Sequence, residues 1–319
     1  MGAGARSRAV RAVSWPRGAA SVLWRFSRPH TVLATSASIL GIYVLAASEL
    51  PALAFGDGLG DLGLTLLAGA LVNVYIVGLN QLEDVEIDRV NKPGLPLAAG
   101  DLSIRDGRRI VAASAVAAIA LACTQGWVEL AAVAAAMAIG TAYSSWPFRL
   151  KRFPALAAAS ISIVRAVVVN LGVYEHFAAS LGGRPELSPV PAPIVALTVF
   201  VLPFSVAIAV LKDVPDAEGD RRFGIATFTV RLGRRRAIGI GLTALSAGYL
   251  GMAVLGPLTV TAAQPWILVA GHLAALATLW AWALRGDLDD QNALTRFYMR
   301  VWLLFLLEYA LMPVAVLAG

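Results

Sequence analysis

Charge is scarce in this chain and cysteine nearly absent. Of 319 residues, 14% are charged and a single one, Cys123, is a cysteine. A lone cysteine inside an apolar run excludes a disulfide framework and a thiolate metal centre. A soluble domain of this length would carry charge on about a quarter of its residues, so the low figure excludes that class as well. Histidine is also rare, and His176 and His272 stand isolated in the sequence and are assigned no chemistry. What the chain does have is apolar surface: 58% of residues are hydrophobic and the mean hydropathy is +0.73. The bilayer is the natural solvent for such a chain.

A hydrocarbon core of about 30 Å needs about 20 apolar residues per helix. Such runs recur at 31–54, 61–82, 108–125, 127–145, 153–178, 190–211, 237–257, 264–284 and 296–317. They lack the alternating polar pattern of membrane strands, so the expected fold is all-α, a polytopic bundle of nine transmembrane helices. Residues 1–30 hold six arginines and no acid, which fits an organellar targeting segment or a cytoplasmic tail. No small-residue cleavage signal stands out, so the tail is the reading taken, followed by one transmembrane domain over 31–319.

The basic residues fall on one side. Beyond the six of the tail, five lie between spans 2 and 3, three between 4 and 5, seven between 6 and 7, and three around 8 and 9. The opposite face has only Arg184, and Arg165 lies within span 5. This bias places the amino terminus and the even-to-odd loops in the cytoplasm or its topological equivalent. The net charge of +6 is thereby a topology signal and needs no nucleic-acid partner. Nothing in the sequence calls for an obligate protein partner.

Two acidic motifs share that face. Span 2 runs into Asn80, Asp84 and Asp88, which recur every four residues and would line one side of a continuing helix. Span 6 runs into Asp213, Asp216 and Asp220, with Pro215 and Gly219 expected to distort the helix. A charge-rich loop is ordinarily a solvated surface. Acids gathered at the mouths of two apolar helices, however, repel one another until something neutralises them, and a hard divalent cation with oxygen ligands does so. Magnesium takes one or two carboxylates and shares substrate phosphates, so facing clusters could hold one or two ions around a diphosphate. The motifs lie four spans apart, an even number, which opens both on one side and suggests a parallel four-helix repeat with a ninth helix added.

At these residues the chain resembles the UbiA superfamily of intramembrane prenyltransferases, most closely its homogentisate prenyltransferase branch. The resemblance runs from Phe26-Ser27-Arg28-Pro29-His30-Thr31 through the first motif and Asn91-Lys92-Pro93. It continues in Ala142-Tyr143-Ser144-Ser145-Trp146-Pro147, in Lys151-Arg152, and from Lys212-Asp213 to Asp220 with Phe223-Gly224-Ile225. The chain departs from the branch at Glu83 and Glu175, each an added acid. The resemblance implies an enzyme that uses Mg2+ to ionise an isoprenyl diphosphate and passes the prenyl group to a phenolic, homogentisate-like acceptor. By that similarity Asn80, Asp84, Asp88, Asp213, Asp216 and Asp220 form the metal motifs, with Asp84, Asp88, Asp216 and Asp220 catalytic. Arg28, Lys92, Lys151, Arg152 and Lys212 become candidates for holding the diphosphate.

Tyr143 falls in a matched loop and is the expected aromatic wall of the substrate pocket. Tyr75, Trp146, Tyr174 and Tyr298 are more simply interfacial or packing residues. Arg165, an intramembrane cation, is a functional candidate by its cost of burial: it would pair with an acceptor carboxylate, the diphosphate or an acid of a neighbouring helix. Asn170 would act as hydrogen-bond glue between helices. A terpene cyclase on the same fold would carry the same motifs, and a transporter with a cation site is the rival from another class. Acids confined to one face, with none paired at the midplane, count against the transporter.

Overall fold

The computed structural model describes residues 18–49, 56, 58–182 and 189–319. Among these the long helices are α1 (Pro29–Ser48), α2 (Leu59–Glu83), α3 (Ile104–Thr124), α4 (Trp127–Ser144), α5 (Pro154–Gly182), α6 (Ala192–Lys212), α7 (Arg234–Thr259), α8 (Pro265–Arg285) and α9 (Gln291–Leu317). All nine are long and apolar enough to cross a membrane. They match the nine expected runs within a few residues at the described ends, because each run is fixed by the thickness it must cross. Most of the tail, residues 1–17, together with the end of the first expected run and Arg184, lies outside the described residues.

Successive helices pack against each other and α1 closes on α9, so the bundle is a ring. Its two halves are filled differently. α6 to α9, with α1, enclose a dense apolar core in which Phe200, Phe204, Tyr249 and Phe305 meet edge to face. In the other half α2, α3 and α4 pack through small residues, Ala118, Ala122 and Ala136, which let backbones approach closely in lipid. Large apolar side chains such as Val116, Leu250, Val254 and Leu284 point outward, as a lipid-facing surface requires.

The chain breaks its helices where the motifs begin. α2 stops at Asp84, whose φ of −115° and ψ of 18° leave the helical region, and a short helix restarts over Val85–Asn91. The expected single helix through Asn80, Asp84 and Asp88 is therefore two segments meeting at Asp84. Its four-residue hydrogen bonds nonetheless persist, from Asp84 N–H to Asn80 C=O and from Asp88 N–H to Asp84 C=O. α6 ends at Lys212, turns through Asp213 to Asp216 and restarts as Ala217–Arg222, the distortion expected of Pro215 and Gly219. Both motif helices thus end in a short helix four spans apart, as a parallel repeat would give, and these two short helices pack on each other.

One irregularity inside the membrane was not expected. Residues Ile163–Gly172 of α5 widen into a π-helix, a geometry that frequently marks functional sites. Arg165 sits within it.

Candidate active site

The two motifs face each other. Lys92, just past the first, forms an ion pair with Asp216 of the second. Asn91 clamps the loops together: its side-chain oxygen accepts from Gly219 N–H at 2.9 Å and its amide donates to Asp220 Oδ1 at 3.3 Å. A Cβ on Gly219 would come within 2.2 Å of that oxygen, so only glycine permits this approach. The loop after α4 supplies a third wall. Lys151 Nζ lies 2.5 Å from Asp84 Oδ2, and Arg149 Nη2 lies 3.2 Å from Oδ1 of the same carboxylate. Asn80 donates to Asp84 Oδ2 at 3.2 Å, and Lys212 donates to Asp213 at 2.7 Å and to the Tyr143 hydroxyl at 3.1 Å.

Most of the motif aspartates are thereby neutralised by the chain's own cations, and among the described residues no three carboxylate or imidazole side chains gather closely enough to hold a metal by themselves. The expectation that repelling acids demand a metal is amended to this extent, since the lysines sit between them. Among the described residues two motif carboxylates have no ion-pair partner. Asp88 is 5% exposed and its Oδ2 is buried without a hydrogen bond. Burial raises its carboxyl to about 6, against the pull of Lys92 and Arg28 and with a push from Asp84 and Asp216. Burial likewise raises Asp220 to about 7, helped by Asp213 and Asp216. Burial also lifts Asp213 and lowers Lys151. An orphaned buried carboxylate oxygen beside two more acids suits a hard cation, and magnesium asks the protein for only one or two carboxylates. The residues present fit that ion.

Below this charged head lies a cavity of about 270 Å³ lined from α1, α2, α4, α5, α6 and α9. Arg28, Asn80, Tyr143 and Lys212 stand at its head, Arg165, Tyr298 and Trp302 on its wall, and Thr65 and Glu129 at its far end. Between them the lining is aliphatic, with Val72, Ile76, Val133 and Val168.

Several expected residues therefore converge, and some do not. Arg152 is exposed and stacks on Trp146 at 5.7 Å, away from the carboxylates, and it is Arg149 of the same loop that reaches Asp84. Of the aromatic candidates, Tyr143 and Tyr298 line the cavity, whereas Tyr75 bonds Thr141 and Tyr174 is packed in the core. Among the described residues Arg165 has no acid partner; it lies over Trp302 at 4.5 Å and Phe305 at 5.4 Å. Asn170 accepts from the Tyr309 hydroxyl at 2.7 Å, joining α5 to α9 as glue. His272 is not isolated: its Nε2 lies 3.1 Å from Glu308 inside the bundle, so together with Glu129 there are buried acids away from the motif face. The reading of acids as confined to one face is corrected by these two.

Reasoning from sequence passed over Asn91, Arg149, Trp302 and Glu129. Asn91 adjoined a matched lysine and Arg149 shared a loop with two candidates, so adjacency was a usable signal for both. Backbone strain offers another: the non-glycine residues with positive φ among those described are Arg28 and Arg149, both at the head of the site. Such strain persists where surrounding structure enforces it.

An all-helical membrane bundle whose paired acidic and basic loops cap a lipophilic cavity defines a class, the intramembrane enzymes that handle a lipid-tailed anion. The profile of the UbiA prenyltransferase family matches residues 32–304, and the chain belongs to that family. It is 46% identical to homogentisate phytyltransferase of Synechocystis over 302 residues, covering 92% of this chain and 94% of that protein. It is 41% identical to homogentisate phytyltransferase 1 of Arabidopsis thaliana, covering 93% of this chain and 76% of that one. A UbiA homolog from Archaeoglobus fulgidus solved with DMAPP and Mg2+ shares the fold with a TM-score of 0.61 at 21% identity, covering 92% of this chain and 100% of that one.

Proposed function

We propose that this membrane enzyme is an aromatic prenyltransferase that joins the prenyl group of an isoprenyl diphosphate to homogentisate or a closely related phenol. The observation that carries the reading is the cavity itself, apolar along its length and headed by Asn80 and Lys212, which bond Asp84 and Asp213 of the two facing motifs. The relatives named above act on homogentisate, and another, at 32% identity, is a naringenin 8-dimethylallyltransferase of Sophora flavescens, so the kinship is with aromatic acceptors and lends nothing to a cyclase.

Asp84, Asp88, Asp216 and Asp220, with Asn80 and Asp213, would hold Mg2+, which when bound supplies positive charge to the departing diphosphate oxygen. Lys92, Lys151, Lys212 and Arg149 turn from their carboxylates to the phosphate oxygens, Arg28 joins them, and these charge-assisted bonds hold the head in place. The allylic C–O bond breaks with its electron pair leaving on the diphosphate. Tyr143 and Tyr298 present aromatic faces to the allylic carbon, and the apolar walls keep water from it. A ring carbon of the acceptor then forms the new C–C bond and gives up its proton. The motif loops face the cytoplasm or its topological equivalent, a reading supported by the basic residues gathered there.

The test is incubation of purified enzyme with Mg2+, a series of isoprenyl diphosphates and homogentisate, with products identified by mass spectrometry. Prenylated phenol, lost with EDTA and regained with added Mg2+, is the expected result. Terpene formed without any phenol would overturn the aromatic assignment.

A further inference from the structure

Arg165 is the cation that the mechanism leaves unused. It lies eleven residues into α5, deep in the bundle, with part of its surface opening onto the cavity wall. Bringing a guanidinium this far into a membrane is costly, and such residues are ordinarily paired. Here no carboxylate answers it: among the described residues its contacts are the faces of Trp302 and Phe305, and its Nη1 is buried with no acceptor. Beside it, the indole N–H of Trp302 is buried with only the Tyr298 phenol for a partner, a poorly aligned contact that a charged acceptor would replace. Two donors on two helices, α5 and α9, are therefore buried on the same stretch of wall, one with no acceptor and one with only a phenol. The π-helical turn of α5 is where the first of them is presented.

The place is close to the reacting head. His30, two residues from Arg28, meets Trp302 edge-on with ring centroids 5.1 Å apart, and both line the cavity with Tyr143 and Lys212. The diphosphate has its own cations at the head, several already paired with aspartates. Arg165 has none to release and lies over two aromatic rings with Nη1 free, a setting for a carboxylate carried beside an aromatic ring. An arylacetate such as homogentisate meets that description: its carboxylate, on a methylene arm, reaches the guanidinium while its ring lies in the cavity.

The geometry points to Arg165 Nη1 and Trp302 Nε1 as a carboxylate-binding subsite that holds the acid group of the aromatic acceptor and turns its ring toward the allylic carbon. This deepens the proposed function and rests on it for the identity of the ligand. Removing the fork should lower the preference for acid over neutral acceptors by about 10- to 100-fold, the worth of a hydrogen bond to a charged group.

The experiment compares homogentisate with its methyl ester in wild type, Arg165→Met, Arg165→Lys and Trp302→Phe. The subsite requires the acid-over-ester ratio of kcat/KM to collapse in Arg165→Met, to recover in part in Arg165→Lys, and to fall less in Trp302→Phe, which keeps a ring but loses the N–H. It also requires acceptor KM to move more than donor KM. A ratio unchanged in both Arg165→Met and Trp302→Phe, or a donor KM that rises as far as the acceptor KM, would overturn it while leaving aromatic transfer standing. Should Arg165→Met not fold, Trp302→Phe and Arg165→Lys decide. Calorimetric binding of homogentisate to donor-free enzyme separates the two claims. If wild type makes no aromatic product, the functional reading fails, yet binding that weakens at least about tenfold in Arg165→Met still supports the anion subsite; equal binding, or none, removes it.

Discussion

Asp84 and Asp216 occupy matching places in the two motifs but live in different surroundings, and their substitutions should separate. Asp216 answers Lys92, which is about a third exposed, whereas Asp84 answers Lys151, which is 7% exposed. Asp216→Ala is expected to lower turnover by at least about a thousandfold, the scale of losing a stabiliser of developing charge, with little change in Tm. Asp84→Ala leaves a buried ammonium bare and should cost about 3 kcal/mol of stability as well as activity. Paired assays of turnover and thermal unfolding in detergent check both, and normal turnover in either variant would remove the motif from the chemistry. Asp88 and Asp220 carry the pH dependence. Their folded carboxyls, at about 6 and about 7 against an ordinary 3.8, bind protons more tightly than in the unfolded chain. Their contribution to stability is therefore full at low pH and is lost as pH rises through the window from about 4 to 7. A cation at these carboxylates reverses that loss, so Mg2+ should raise Tm more at pH 8 than at pH 6; an equal or opposite shift would contradict the assignment. None of this pairing was legible beforehand. The spacing of Asn80, Asp84 and Asp88 displayed the acids, but which lysine meets Asp84 and which meets Asp216 is decided by loops far apart in sequence.

At the scale of elements, the spanning helices were legible because lipid leaves a chain no alternative to satisfying its backbone internally. Departures from regular helix were only partly so. Pro215 and Gly219 announced the turn after α6, while the break at Asp84 carries neither proline nor glycine and the π-helical stretch of α5 has a glycine, Gly172, only at its end. They are set by packing. The meeting of the two short motif helices rests on Gly219 against Asn91, and Gly219→Ala is expected to push these loops apart. Half-saturating concentrations of donor and Mg2+ should then rise together by about tenfold, as loss of a positioning contact does, with Tm falling by no more than a few degrees. Unaltered saturation curves would show that the clamp is incidental.

The whole molecule is lopsided, with one half solid and the other hollow. Asn80 at the head and Thr65 at the far end are fifteen residues apart on α2, so the cavity runs about 22 Å along that helix, most of the hydrocarbon thickness. Its far end is polar, with Glu129 3% exposed on the wall and Thr65 donating to Gln125 at 3.2 Å. An isoprenoid tail reaching that depth meets a desolvated acid, so Glu129→Leu should move donor preference toward longer chains by about a factor of ten, measured by competing diphosphates of different length. An unchanged ranking would place the limit elsewhere. The interleaving of lysine and aspartate at the head has a different consequence, which concerns the order of events. On the proposed function, metal alone meets Asp88 and Asp220 but strands ammonium groups where it draws in Asp84 or Asp216, and diphosphate alone strands those carboxylates. Arriving together they exchange partners with the protein and leave nothing unmatched, so each improves the welcome of the other by the same factor. On that reading the reactive state assembles only around a donor that has come to be cleaved.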